Sequence, residues 1–196
     1  MMSTASRLLK DNRANAITEF ALIAPLMLLL LFGLMEFSHV SSARTRLEGS
    51  TMRAARAVAA SDCPSEREAL MKQIVTDGMS NIPSPSKGVV QVTTKSYSDK
   101  FGDVGEPEPF SDENGDSVWT LGEPFTDVNG NGEYDDDMGT AGSIGGAGQV
   151  ISYTARYQVS SLFGFISSKY SGSDIYTIEA STVIRNEPIF NSTGCT

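Results

Sequence analysis

Three observations predict an α+β fold with a long N-terminal transmembrane helix, a second amphipathic helix, and a small antiparallel sheet carrying a long acidic loop insert. Phe20 to Met35 contains no charged residue, so an apolar helix opens the chain. Later runs alternate as half-buried strands do. Between them, residues 98–147 are crowded with Asp, Asn and Gly. The 196 residues leave room for one ordinary domain beside an anchor. They divide into a basic leader (1–14), a transmembrane and spine helix (15–60), and an extracytoplasmic α+β domain (61–196).

The uncharged run is about 24 Å long as a helix, short of a hydrocarbon core of about 30 Å. The span therefore extends from Ile17 to Phe37, which leaves Glu19 and Glu36 at its two edges. A carboxylate is tolerated there if it faces headgroups or a protein partner. Pro25 falls near the start of the helix, where a kink is cheap. From Ser41 to Ala60 the helix continues as an amphipathic spine, with Leu47, Met52, Ala55, Val58 and Ala59 forming its apolar stripe.

Ser65 and Glu68 read as a capping box. The helix it opens carries Leu70, Met71, Ile74 and Val75 and ends near Gly78. Strand-like runs follow from Val89 to Tyr97, Val150 to Ser160 and Ile175 to Arg185. The first two flank the acidic excursion and suit hairpin neighbours; an insert of that length is usually functional. Thr140 to Gly148 reads as a flexible glycine-rich return, without the Lys-Ser/Thr pair of a phosphate loop.

The net charge of −9 argues against a nucleic-acid partner, and most of the acidity lies between Asp99 and Asp137. Cys63 and Cys195 make an even pair. In an exported chain such a pair suggests a disulfide, worth roughly 4–5 kcal/mol in the chain-entropy model. Arg7, Lys10 and Arg13 precede the span, while Arg44, Arg46, Arg53 and Arg56 follow it, so the positive-inside rule gives no orientation. The cysteine pair and the acidic domain favour a C-terminal part outside the cytoplasm. A cleavable secretory signal is the competing reading of the run, with Ser41 and Ala43 as small residues after it.

The insert contains a repeat. Glu108 to Asp116 recurs fifteen residues later as Glu123 to Asn131. Oxygen-bearing side chains at alternate positions of a turning backbone suit Ca²⁺, which takes six to eight oxygen ligands. In the first copy Asp112, Asn114 and Asp116 fill positions one, three and five, and Glu123 falls at position twelve. Position six is Ser117, where an EF-hand loop has glycine. The second copy offers Asp127, Asn129 and Asn131, with Gly132 at position six. Its position twelve is Met138, which leaves Asp135, Asp136 or Asp137 to close the loop. Pro109 and Pro124 disfavour the entering helices of a full EF-hand. A solvated Asp/Asn/Gly linker is the plainer alternative.

The phrase Glu19-Phe20-Ala21-Leu22-Ile23-Ala24-Pro25, the leucine-rich run, Gly33-Leu34-Met35-Glu36-Phe37, and Arg185-Asn186-Glu187-Pro188 resemble the TadE-like family of pseudopilins. These belong to tight-adherence (Flp-type) pilus and secretion systems. The N-terminal resemblance covers residues 7–60 and leaves the middle of the chain untouched. It implies processing by a prepilin peptidase between Ala14 and Asn15, which makes Glu19 the fifth mature residue. The usual leader residue is glycine, and this chain has Ala14. The resemblance also implies a bacterial inner-membrane protein whose partners are other pilin or pseudopilin subunits, with Glu19, Phe20 and Pro25 at family positions. An α-amino group at Asn15 would be positive at neutral pH, and a neighbour's Glu19 could pair with it.

Catalysis finds no constellation here. His39, the one histidine, sits just past the apolar run, away from any nucleophile in the later domain. The reading is a membrane-anchored minor pseudopilin with a calcium-stabilised outer domain. The alternative from another class is a calcium-dependent adhesin or surface-binding module on a signal anchor.

Overall fold

The computed structural model describes residues 12–61, 66–85 and 88–187, with residues 12–15, 165, 166, 170 and 171 described by backbone alone. Cys63, Cys195, Ser65 and Pro188 lie outside the described residues, as do the side chains of Ala14 and Asn15. The fold is α+β. Its elements are α1 (Asn12–Ala59), α2 (Arg67–Met79), β1 (Gln91–Tyr97), β2 (Thr140–Ala141), β3 (Val150–Ser160), α3 (Gly164–Ser171) and β4 (Ile175–Arg185). Two compact units result, one of Met1–Ser42 with Ser161–Asp174, the other of Ala43–Ser160 with Ile175–Thr196.

In the larger unit, α1 buries Ala43, Leu47, Ser50, Thr51, Ala54, Ala55 and Val58, a stripe with steps of three and four residues. Met52 lies off this stripe and is 51% exposed, which corrects the sequence-based face by one position. Helix α2 buries Arg67, Met71, Val75 and Met79. Its apolar spacing was legible; the capping box read at Ser65 and Glu68 rests on Ser65, outside the described residues. The helix starts after Glu66, which makes no side-chain cap, and Glu68 pairs forward with Lys72 at 2.5 Å. Small residues bring α1 and α2 together. A Cβ added to Gly78 would stand 2.5 Å from the Ser50 Cβ.

The sheet is antiparallel in the order β2-β1-β3-β4. Strand β3 sends Ile151, Tyr153, Ala155, Tyr157 and Val159 into the core, the period-two pattern of a half-buried strand. Tyr157 donates its hydroxyl to the Ile82 carbonyl at 2.9 Å, which fixes the loop after α2. On the opposite face Arg156 stands across from Glu179 and pairs with it at 2.6 Å. The first and second strand-like runs are indeed neighbours, and β1 begins at Gln91 rather than Val89.

The return from the insert, read from sequence as a flexible segment over residues 140–148, is hydrogen-bonded to the rest of the domain. Thr140 of β2 pairs with Ser96 of β1. Beyond it, Asn186 donates its side-chain amide to the carbonyls of Ile144 at 3.0 Å and Gly146 at 3.2 Å.

In the smaller unit, Ser161 and Asp174 close an excursion between β3 and β4 through a backbone hydrogen bond of 2.8 Å. The excursion holds α3, which was not anticipated from sequence. Glu36 accepts the backbone N–H groups of Leu162 at 3.0 Å and Phe163 at 3.2 Å through one oxygen. The Phe163 ring lies 4.8 Å from that of Phe32.

The α1–α2 contact gives a direct test. Gly78→Ala should destabilise the protein by about 1–3 kcal/mol through overpacking against Ser50. Gly49→Ala, where an added Cβ meets nothing within 4 Å, should leave stability unchanged or improve it. Thermal melting compares them, and equal midpoints would refute the close-packing account.

Candidate functional site

Two features stand apart from a plain globular domain. The first is the N-terminal part of α1. A helical stretch from Ala16 contains a window with a mean hydropathy of 2.3, none of it buried by the rest of the chain, and it is long and apolar enough to cross a membrane. Phe20 and Leu26 are about two-thirds exposed, and Leu22 is 84% exposed. A water-soluble domain rarely leaves so large an apolar surface open.

The helix starts five residues before Ile17, so Pro25 lies in its interior rather than near its start. Proline has no N–H to give the Ala21 carbonyl, and the helix nevertheless continues through it. Glu19 and Phe20 are exposed on this segment.

The second feature is the insert, which is a paired structure rather than a loose linker. The two copies join at an antiparallel bridge between Phe110 and Phe125. Thr126 donates to the Pro109 carbonyl and Ser111 to the Pro124 carbonyl, both at 2.8 Å. Above the bridge Trp119 stacks on Tyr134 with centroids 4.5 Å apart and planes at 10°. Phe110 and Phe125 each meet Tyr134 edge-on at 5.8 Å. Phe110 and Phe125 are equivalent in the repeat, and so are Trp119 and Tyr134. The copies therefore share a small aromatic core.

Their glutamates are exchanged. Glu123, 8% exposed, accepts the amides of Glu113 at 3.1 Å and Thr120 at 2.8 Å, positions two and nine of the first loop. Glu108, 1% exposed, does the same for the second loop, accepting Val128 at 2.7 Å and Asp135 at 3.2 Å. The backbone of the second loop is thus held by Glu108, in addition to the aspartates at 135–137 expected from sequence to supply its closing carboxylate. Glu108 lies twenty residues upstream of Val128, at the start of the other copy.

Within each loop the first aspartate gathers backbone amides. Asp112 accepts Gly115 at 2.6 Å and Ser117 at 2.9 Å, while Asp127 accepts Gly130 at 2.6 Å and Gly132 at 2.8 Å. Ser117 takes φ 62°, the same left-handed turn as Gly132 at 83°. The serine thus fills the glycine position at some backbone cost. The Ser117 amide, joined by those of Gly115, Asp116 and Asn114 against opposing desolvation, holds the Asp112 carboxyl below the usual range.

Asn114 accepts the Asp116 amide at 2.9 Å, and Asp116 accepts that of Val118 at 2.8 Å. In the second loop, Asn129 and Asn131 both donate to Asp135, at 2.7 Å and 2.6 Å. Among the described residues, no three His, Cys, Asp or Glu side chains gather into a group that could hold a metal ion. The carboxylates face amides instead, and any cation would have to draw on Asn and backbone oxygens as well.

Asp137 belongs elsewhere. It pairs with Lys95 of β1 at 2.6 Å and accepts the Tyr97 hydroxyl at 3.2 Å. Burial opposes its ionisation, yet hydrogen bonds from Lys95, the Gly139 amide and Tyr97 together lower its pKa. Burial, then the hydrogen bond and charge of Asp137, push Tyr97 up to about 12. Asp137 therefore ties the insert to the sheet.

Residues 15–56 match the family described as TadE-like protein. The match spans the apolar helix and most of the spine and stops before the insert. No curated protein and no solved structure matches the chain.

Truncating Glu108 to Ala removes a buried carboxylate and the hydrogen bonds it accepts from the Val128 and Asp135 amides, and should cost about 3 kcal/mol, whereas Glu133→Ala on the exposed rim should change stability by less than about 0.5 kcal/mol. Chemical denaturation measures both, and similar values would remove the clamp role. Asp137 gives a pH signature. Its folded pKa is depressed, so its contribution is complete above the ordinary aspartate range and fades as pH falls through the folded value. Asp137→Asn should flatten the loss of stability below about pH 4; an unchanged acid limb would contradict the assignment.

Proposed function

We propose that the chain is a minor pseudopilin, a membrane-anchored assembly subunit of a tight-adherence type pilus or secretion system. One observation carries the proposal: the matched residues 15–56 coincide with a helix whose first half is apolar and unburied and whose second half buries one narrow stripe. A helix of that kind needs lipid around its first half and, during assembly, neighbouring helices of the same type. The anchor would cross the bacterial inner membrane once, with the α+β domain outside the cytoplasm.

A prepilin peptidase would release the chain at Asn15, leaving a positive amine four residues before Glu19. Glu19 of one subunit would then pair with the amine of the next, which offsets the cost of a carboxylate at membrane depth. The aqueous domain would serve as the outer body. Glu19→Ala should leave membrane insertion intact and sharply reduce incorporation into assembled complexes, read by crosslinking to partner subunits. Full incorporation of the variant would sink the pairing role.

The acidic insert would take Ca²⁺. Its donors are hard oxygens at alternate positions, from Asp112, Asn114 and Asp116 in one loop and Asp127, Asn129 and Asn131 in the other. Glu123 and Glu108 would hold the loop backbones in shape, with Asp135 available to the second loop. Ion binding would offset the mutual repulsion of this acidic group. Calorimetry of the intact protein should show a higher unfolding temperature in calcium than in chelator; identical temperatures would end the calcium proposal.

A further inference from the structure

We infer that the excursion from Ser161 to Asp174 is a second membrane contact, seating Leu162 and Phe163 among lipids at the edge of the bilayer. The inference rests on the membrane-anchor reading of α1.

Strands β3 and β4 remain paired as far as Ser160 and Ile175, so a short turn would have sufficed to join them. The chain instead makes a longer excursion that packs on the apolar segment. Phe163 lies against Phe32, and Phe32 is one helical turn inside Glu36, about 6 Å along the axis. Glu36 marks the edge of the span, and its carboxylate binds the amides of residues 162 and 163. The backbone of the excursion is thus held at the level of the edge, with the Phe163 ring reaching a turn deeper.

The polar groups fit that depth. Backbone donors near lipid must find partners, and Glu36 supplies one for both amides. Its other oxygen is buried without a hydrogen-bond partner, so this glutamate is shielded rather than extended into water. Leu162 remains 47% exposed beside Leu31, Leu34 and Met35, with which it lines a shallow concavity of about 460 Å³; Ser38, His39 and Ser42 complete the lining. The apolar part is continuous with the exposed surface of the span. Exposed Lys169, in the last turn of α3, suits anionic headgroups. Lipid, rather than a solvent-facing receptor, is the occupant that this continuity favours.

The test uses the full chain in vesicles of phosphatidylcholine and phosphatidylglycerol with brominated acyl chains. Tryptophan is placed at three leucines in turn, Leu162→Trp, Leu26→Trp in the span and Leu121→Trp in the insert, over the constant background of Trp119. Bromine quenching should be at least about twofold stronger at positions 162 and 26 than at 121, at every protein-to-lipid ratio. Quenching at 26 but not at 162 overturns the inference and leaves the anchor standing. Quenching at neither overturns both. Quenching at 162 that disappears as protein is concentrated assigns the surface to a second copy and also overturns the inference.

Hydroxyl-radical labelling of the unaltered protein in nanodiscs provides a reading independent of the substitutions. Leu162 should label roughly fivefold or more slowly than Leu121 if lipid covers it. A ratio near two, which their exposures of 47% and 95% would give in water, refutes coverage.

Discussion

The constraint on which everything else depends is the unburied apolar surface of α1 between Ile17 and Phe37. No residue of the most apolar window of that helix is buried by the rest of the chain. At about 25 cal/mol per Å², moving so many large side chains out of water into lipid or against other helices would gain more than the whole folding stability of a small domain. Such a surface is compatible with a single-pass membrane anchor. That reading gives meaning to the carboxylates at its edges, and it separates the first half of α1 from the one-sided stripe that starts at Ala43.

The insert solves a different problem. An acidic segment rich in Asp, Asn and Gly has little apolar surface with which to order itself. The repeat supplies order by duplication: four aromatic side chains cluster, and Glu108 and Glu123 each bind the backbone of one loop. Nearly buried carboxylates are costly unless hydrogen-bonded, and the amides they accept compensate that cost. Asp137 then fixes the pair to β1 through Lys95.

What could be read from sequence was what has a short period. The apolar run, the α2 stripe and the strands at 150–160 and 175–185 all announce themselves within a dozen residues, and their boundaries matched closely. The duplicated register of Asp112 and Asp127 was visible for the same reason. Contacts set by distant pairing were not. Lys95 meets Asp137 across 42 positions, and Glu36 meets Leu162 across 126. The Glu108 clamp was missed because position twelve was sought downstream of Asp127. The fifteen-residue offset would have exposed it, since Glu108 stands to Asp112 as Glu123 stands to Asp127. Met52 failed for a simpler reason: one helical position is 100°, enough to turn a side chain off a narrow stripe.

The central question is whether α1 is a processed pilin-like helix or part of an ordinary signal anchor. The most direct measurement is the N-terminal sequence of the mature protein isolated from membranes. Asn15 as the first residue is the result expected, since it places a new amine four residues before Glu19. A chain beginning at Arg44, or one retaining Met1, would contradict it.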